Sequence, residues 1–233
     1  MAMIGLDRTP KGVAALFART RKRSSDLAAR LSPEDMVVQS MPDASPAKWH
    51  LAHTTWFFET FVLAEFEAGY RPHDPRFAHC FNSYYVQAGS RHARPMRGML
   101  TRPSTAEVIG YRAAVEARIV ALLDDAGPIE RPEIERRIEL GCHHEMQHQE
   151  LLLMDILHAF SLNPLEPAYL PPVPIAMAPH VSVADWHSFD GGMVEIGAQA
   201  GFHFDNEGPR HETHVPPFRI AGRLVTAGEW IAF

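Results

Sequence analysis

Apolar positions recur at helical spacing in four stretches of the chain, and each stretch is bounded by residues that start or stop helices. From about Pro10 to Leu31, Val13, Leu16, Phe17, Leu27 and Leu31 are interleaved with basic residues, the pattern of an amphipathic helix that Ser32-Pro33 ends. Ser45 followed by Pro46 offers an N-cap and a proline for the first turn. The segment from there to about Phe66 is so rich in aromatic and aliphatic residues that this second helix must be largely buried. Ser104 caps a third helix reaching about Asp125. After Gly127-Pro128 a fourth runs from about Arg131 to Phe160, closed by Asn163-Pro164. Residues 69–103 carry repeated prolines, glycines and arginines without a sustained period, and so long a stretch in a compact domain is expected to be a functional crossover lining a site. Four helices with one long connection predict a bundle.

Beyond Pro164 the pattern changes. Leu170 to Pro179 is crowded with proline, which cannot continue a helix and favours an extended linker. Short apolar alternations follow, punctuated by Gly191-Gly192, Gly197, Gly201 and Gly208-Pro209, as in strands joined by tight turns. Thr226 is an N-cap for Ala227 to Phe233, about two helical turns that are too few to stand without packing partners. The expected class is therefore α+β: a four-helix bundle over residues 1–165, a proline-rich linker over 166–185, and from 186 to 233 the start of a β-rich domain, truncated at Phe233.

A length of 233 residues suits one full domain and part of a second. The net charge of -6 and the scattered basic residues give no footprint for nucleic acid. No apolar run is long enough for a membrane span and the N-terminus lacks the core of a secretory signal, so a cytoplasmic protein is expected. Two cysteines, Cys80 and Cys142, make no disulfide framework and are expected as reduced thiols. Oligomeric state has no signature in the sequence.

Histidine changes the picture. There are 14, and three fall in the run Cys142-His143-His144-Glu145-Met146-Gln147-His148. On a helix His144 and His148, four apart, face the same way and can share a metal ion, whereas His143 is rotated about 100° from His144. The second helix sets His53 in an apolar stripe with Trp49, Trp56 or Phe57, and Thr60. A histidine buried there needs a partner or a metal. Facing helices of a bundle build metal sites, so His53 is a candidate third ligand, with His50 as its competitor. Three imidazoles leave coordination positions open, which suits catalysis, and such a set accepts zinc, iron, copper or nickel. Glu150 and Asp155 are candidates for carboxylates that fix an imidazole tautomer.

The stretch from Val38-Gln39-Ser40-Met41-Pro42-Asp43-Ala44-Ser45-Pro46 through Trp49-His50-Leu51-Ala52-His53-Thr54-Thr55-Trp56-Phe57-Phe58-Glu59 resembles the ergothioneine-forming sulfoxide synthases. So does His144-Glu145-Met146-Gln147-His148-Gln149-Glu150, their H-x-x-x-H-x-E signature. Phe189-Asp190-Gly191-Gly192-Met193-Val194-Glu195-Ile196-Gly197 and Asp205-Asn206-Glu207-Gly208-Pro209-Arg210-His211 look like the opening of a formylglycine-generating-enzyme-like, C-type-lectin-related domain. The resemblance runs from about Ser32 to Phe233. It implies a DinB-type bundle followed by that second domain, with His53, His144 and His148 as ligands of Fe(2+). It also implies small-molecule substrates: dioxygen, hercynine, and either gamma-glutamylcysteine or cysteine as sulfur donor, joined as a sulfoxide. Arg91, Arg94 and Arg97 contain an Arg-x-x-Arg pair resembling one that binds the donor's carboxylates, a role for which guanidinium forks are suited. The family's proton-donor tyrosine and its hercynine-holding residues belong to a later part of the second domain, beyond Phe233, and the chain on its own is expected to be inactive. The competing expectations are a zinc-dependent thiol transferase or isomerase of the DinB type, and a metal-binding remnant without chemistry.

Overall fold

The computed structural model describes residues 12–85, 87, 89–172 and 185–233. These form two compact units, divided between Pro172 and Val173. Much of the expected linker, residues 173–184, lies outside the described residues.

The first unit is helical. Helix α1 spans Val13–Ala28, α2 Ala47–Phe58, α5 Thr105–Asp125 and α6 Arg131–Ser161. Helix α2 passes through a widened π turn, Glu59–Leu63, into the short α3, Ala64–Phe66. The described residues of the crossover to α5 include a short helix, α4, Phe77–Phe81, and a 3-10 segment, Arg94–Met99. Ser104 and Glu107 cap α5 reciprocally: the Ser104 hydroxyl accepts the Glu107 N–H at 3.2 Å, and the Glu107 carboxylate accepts the Ser104 N–H at 2.7 Å. Ser45 does not cap α2. Pro46 holds that position, and Ser45 turns both its N–H and its hydroxyl to other partners, Asp155 and Arg97.

Helix α2 packs on α5 and α6, and α1 packs on α6. Every residue of α2 is buried, as its aromatic and aliphatic content predicts, and its polar members Lys48, His50, His53, Thr54 and Thr55 are buried with the rest. Trp56 and Phe58 meet Tyr111, Ile119, Ile134 and Ile138 in one core. Gly141 makes the α2–α6 approach possible, since a Cβ there would lie 2.4 Å from the Phe58 ring. The contact stands three residues before His144, so it fixes the height at which that histidine meets α2.

The second unit pairs β1, Trp186–Phe189, antiparallel with β4, Phe218–Ala221, and β2, Gly192–Ile196, antiparallel with β3, His211–Val215. Gly191, at φ 73°, holds the left-handed backbone of the β1–β2 turn, where a Cβ would strike the Val215 carbonyl at 2.2 Å. Thr226 caps α7, Ala227–Ala232, as its sequence predicts. Among the described residues no helix is long and apolar enough to cross a membrane.

Candidate metal centre

Three imidazoles meet inside the bundle. His53 comes from α2, and His144 and His148 come from one face of α6. One ring nitrogen from each lies within 4.8 Å of the others, a grouping that could hold one metal ion.

Aromatic rings hold two of the imidazoles in place. Trp49 lies parallel to His53 with centroids 4.6 Å apart, and Phe57 stacks on His144 at 4.5 Å. His53 Nδ1 lies 2.5 Å from the Phe81 carbonyl oxygen. A carbonyl only accepts, so Nδ1 carries the proton and Nε2 keeps the lone pair. His148 Nδ1 is 2.9 Å from His50 Nδ1, and His50 Nε2 is 3.0 Å from Asp155. Burial pushes the pKa of His53 well below its ordinary value, with His144 adding to the effect. Burial likewise takes His144 down to about 4. His148 is lowered by burial and by the neighbouring imidazoles. Neutral imidazoles are what metal binding requires, so the donor set fits a divalent cation that tolerates nitrogen ligands.

The triad opens into a cavity of about 410 Å³ lined also by Ser45, Ser83, Tyr84, Tyr85, Gln147 and Leu151, together with Arg94 and Arg97. Arg97 is only 4% exposed. Its guanidinium lies 3.4 Å from the Trp49 ring centroid and donates to the Ser45 and Ser83 hydroxyls. Burial, aided by Arg94, lowers its pKa to about 10. Arg94 donates to the Tyr84 hydroxyl and the Asp43 carbonyl. Neither arginine forms an ion pair among the described residues, and the Nε of each is buried without a hydrogen-bond partner. Two cations of this kind on one wall suit an anionic ligand. Arg91 is exposed, donates to the Ser83 carbonyl and does not line the cavity.

The structure brings Asp155 to the site through His50 but does not bring Glu150 there. Glu150 is exposed, and it lies about 200° round the helix from His148, on the opposite face. The buried carboxylate of this region is Glu145, which sequence reasoning passed over. It accepts from Arg21 at 2.9 Å, Arg112 at 3.0 Å and Ser24 at 2.6 Å. Burial alone would raise its pKa; the two guanidiniums and the hydroxyl outweigh that and hold it at about 2. The available signal was Arg112, which shares an apolar stripe with Val108, Val115 and Ile119 and needed a buried anion as partner.

Comparison with known proteins agrees with this anatomy. Residues 16–152 match the DinB superfamily, a range that takes in all three imidazoles. Over 200 residues the chain is 29% identical to the hercynine oxygenase of Mycolicibacterium smegmatis. That alignment covers 84% of this chain and 44% of the relative, so the chain spans less than half the relative's length.

Proposed function

The chain belongs to the DinB superfamily, and from that footing we propose that it is the metal-holding part of an oxygen-dependent enzyme that joins a cysteine-type thiol to hercynine as a sulfoxide. The observation that carries this proposal is the convergence of His53, His144 and His148 on a cavity also lined by Arg94 and Arg97, which have no ion-pair partner among the described residues. The similarity to a protein named hercynine oxygenase supports it.

His53, His144 and His148 would hold ferrous iron. When bound there, Fe(2+) supplies a Lewis-acidic, redox-active centre for the thiol and dioxygen. The chain's own residues do the rest. Neutral imidazoles would leave the positive charge of a bound divalent ion uncompensated, so the site would attract an anionic thiolate. Arg97 and Arg94 bind a carboxylate of gamma-glutamylcysteine or cysteine and so orient its sulfur. Trp49 and Phe57 keep the rings from swinging. In the overall balance a C–H and an S–H are replaced by a C–S bond; one oxygen atom ends on sulfur and the other leaves as water. Residues 186–233 are proposed to open a formylglycine-generating-enzyme-like domain joined through residues 166–185. A reducing cytoplasm suits the free thiols of Cys80 and Cys142.

A zinc-dependent thiol transferase is the second reading, favoured by the fact that the triad and its cavity lie entirely within the helical unit. Anaerobic titration with ferrous iron tests the first reading. It should give one equivalent bound, with binding lost in His144→Ala and His148→Ala; oxygen uptake that needs hercynine and thiol together is expected of the protein with its second domain in full. Undiminished binding in both variants overturns the metal assignment. Zinc in protein purified without added metal, with no oxygen uptake by the protein that has its second domain in full, favours the second reading.

A further inference from the structure

His50 is a buried imidazole that the triad does not use, and its two nitrogens join Asp155 to His148. The Asp155 carboxylate is itself anchored, since the same oxygen accepts the Ser45 N–H at 2.8 Å. A carboxylate oxygen only accepts, so the 3.0 Å contact puts a proton on His50 Nε2. His148 Nδ1 is the nitrogen engaged by His50, at 2.9 Å, which leaves Nε2 as the one available to a metal. A neutral ring that gives its Nε2 lone pair to a metal carries its proton on Nδ1, so His148 is the donor of this hydrogen bond and His50 Nδ1 the acceptor.

We propose that His50, oriented by Asp155, is a positioning residue that locks His148 in the Nδ1–H tautomer and so reserves its Nε2 for the metal. This rests on the assignment of the triad as a metal site. His53 receives the same treatment directly, from the Phe81 carbonyl. His148 has no carbonyl in that place and obtains an acceptor through a second imidazole. Such outer partners are worth about 10- to 100-fold in metal affinity.

The test has two readouts. Nitrogen NMR of histidine-labelled, metal-free protein should show His148 protonated on Nδ1 in the wild type, and moved toward the Nε2–H form in His50→Phe. Titration with Co(2+) should show affinity reduced about 10- to 100-fold in His50→Phe. It should be largely retained in His50→Asn, whose amide oxygen stands where Nδ1 was and still accepts. A general loss of packing would lower thermal stability in both variants without this split. Wild-type His148 in the Nε2–H form overturns the relay, as does His50→Phe binding cobalt as tightly as wild type while His148→Ala does not. If the wild type binds no metal, the metal assignment fails, and the NMR tautomer still decides the relay. Should His50→Phe not fold, Asp155→Leu, which removes the acceptor for His50 Nε2–H, is read in the same two ways, and an unchanged tautomer and affinity there overturn it.

Discussion

At the scale of single residues the site depends on imidazoles that stay neutral. Histidine in an unfolded chain titrates near 6.5, whereas burial holds His144 at about 4 and His53 well below its ordinary value. Because the folded pKa is the lower one, the folded state binds fewer protons than the unfolded state. The stability contributed by these neutral rings is complete above about pH 6.5 and is lost as the pH falls toward 4. Thermal unfolding of metal-free protein should therefore give a Tm that is level from about pH 8 to 7 and declines by pH 5; an unchanged Tm at pH 5 would contradict the burial argument. His144 and His148 were legible in the sequence because four-residue spacing puts two side chains on one helix face. His50 was not, since its partners lie 98 and 105 positions away and nothing local distinguishes a bridging imidazole from a ligand. Glu150 misled for a related reason: nearness to His148 in the chain is not nearness in space when the helix carries it to the opposite face.

At the scale of elements, what fixes the height and rotation of α6 decides where its two histidines stand. Gly141 admits the Phe58 ring on one side, and Glu145 ties the helix to Arg21 of α1 and Arg112 of α5 on another. Removing one partner of a buried charge cluster typically costs about 3–5 kcal/mol, because the other charges are left uncompensated. Glu145→Gln should accordingly lower the stability read from denaturant unfolding by that order. A midpoint within error of wild type would show that the cluster does not brace the bundle. The long helices were readable from their periodicity and the α5 and α7 caps from Ser104 and Thr226. The five-residue α4 and the π turn after α2 were not, because neither is long enough to express a period. The ion cluster was hidden because its members, Arg21, Arg112 and Glu145, come from three separate helices.

At the scale of the molecule, a helix buried on every side carries His53 to the middle of the bundle, where it meets the one face of α6 that bears two more imidazoles. The crossover between α2 and α5 then walls the space with Ser83, Tyr84, Tyr85, Arg94 and Arg97. The bundle follows from the sequence pattern because each helix declares its own apolar face, whereas the shape of the cavity does not, because it is set by a connection without periodicity. The most direct test of the central claim is anomalous diffraction at the iron edge from crystals of protein loaded anaerobically with ferrous iron. The account predicts one strong peak about 2 Å from a ring nitrogen of each of His53, His144 and His148. A peak elsewhere with these three rings left unligated would contradict it.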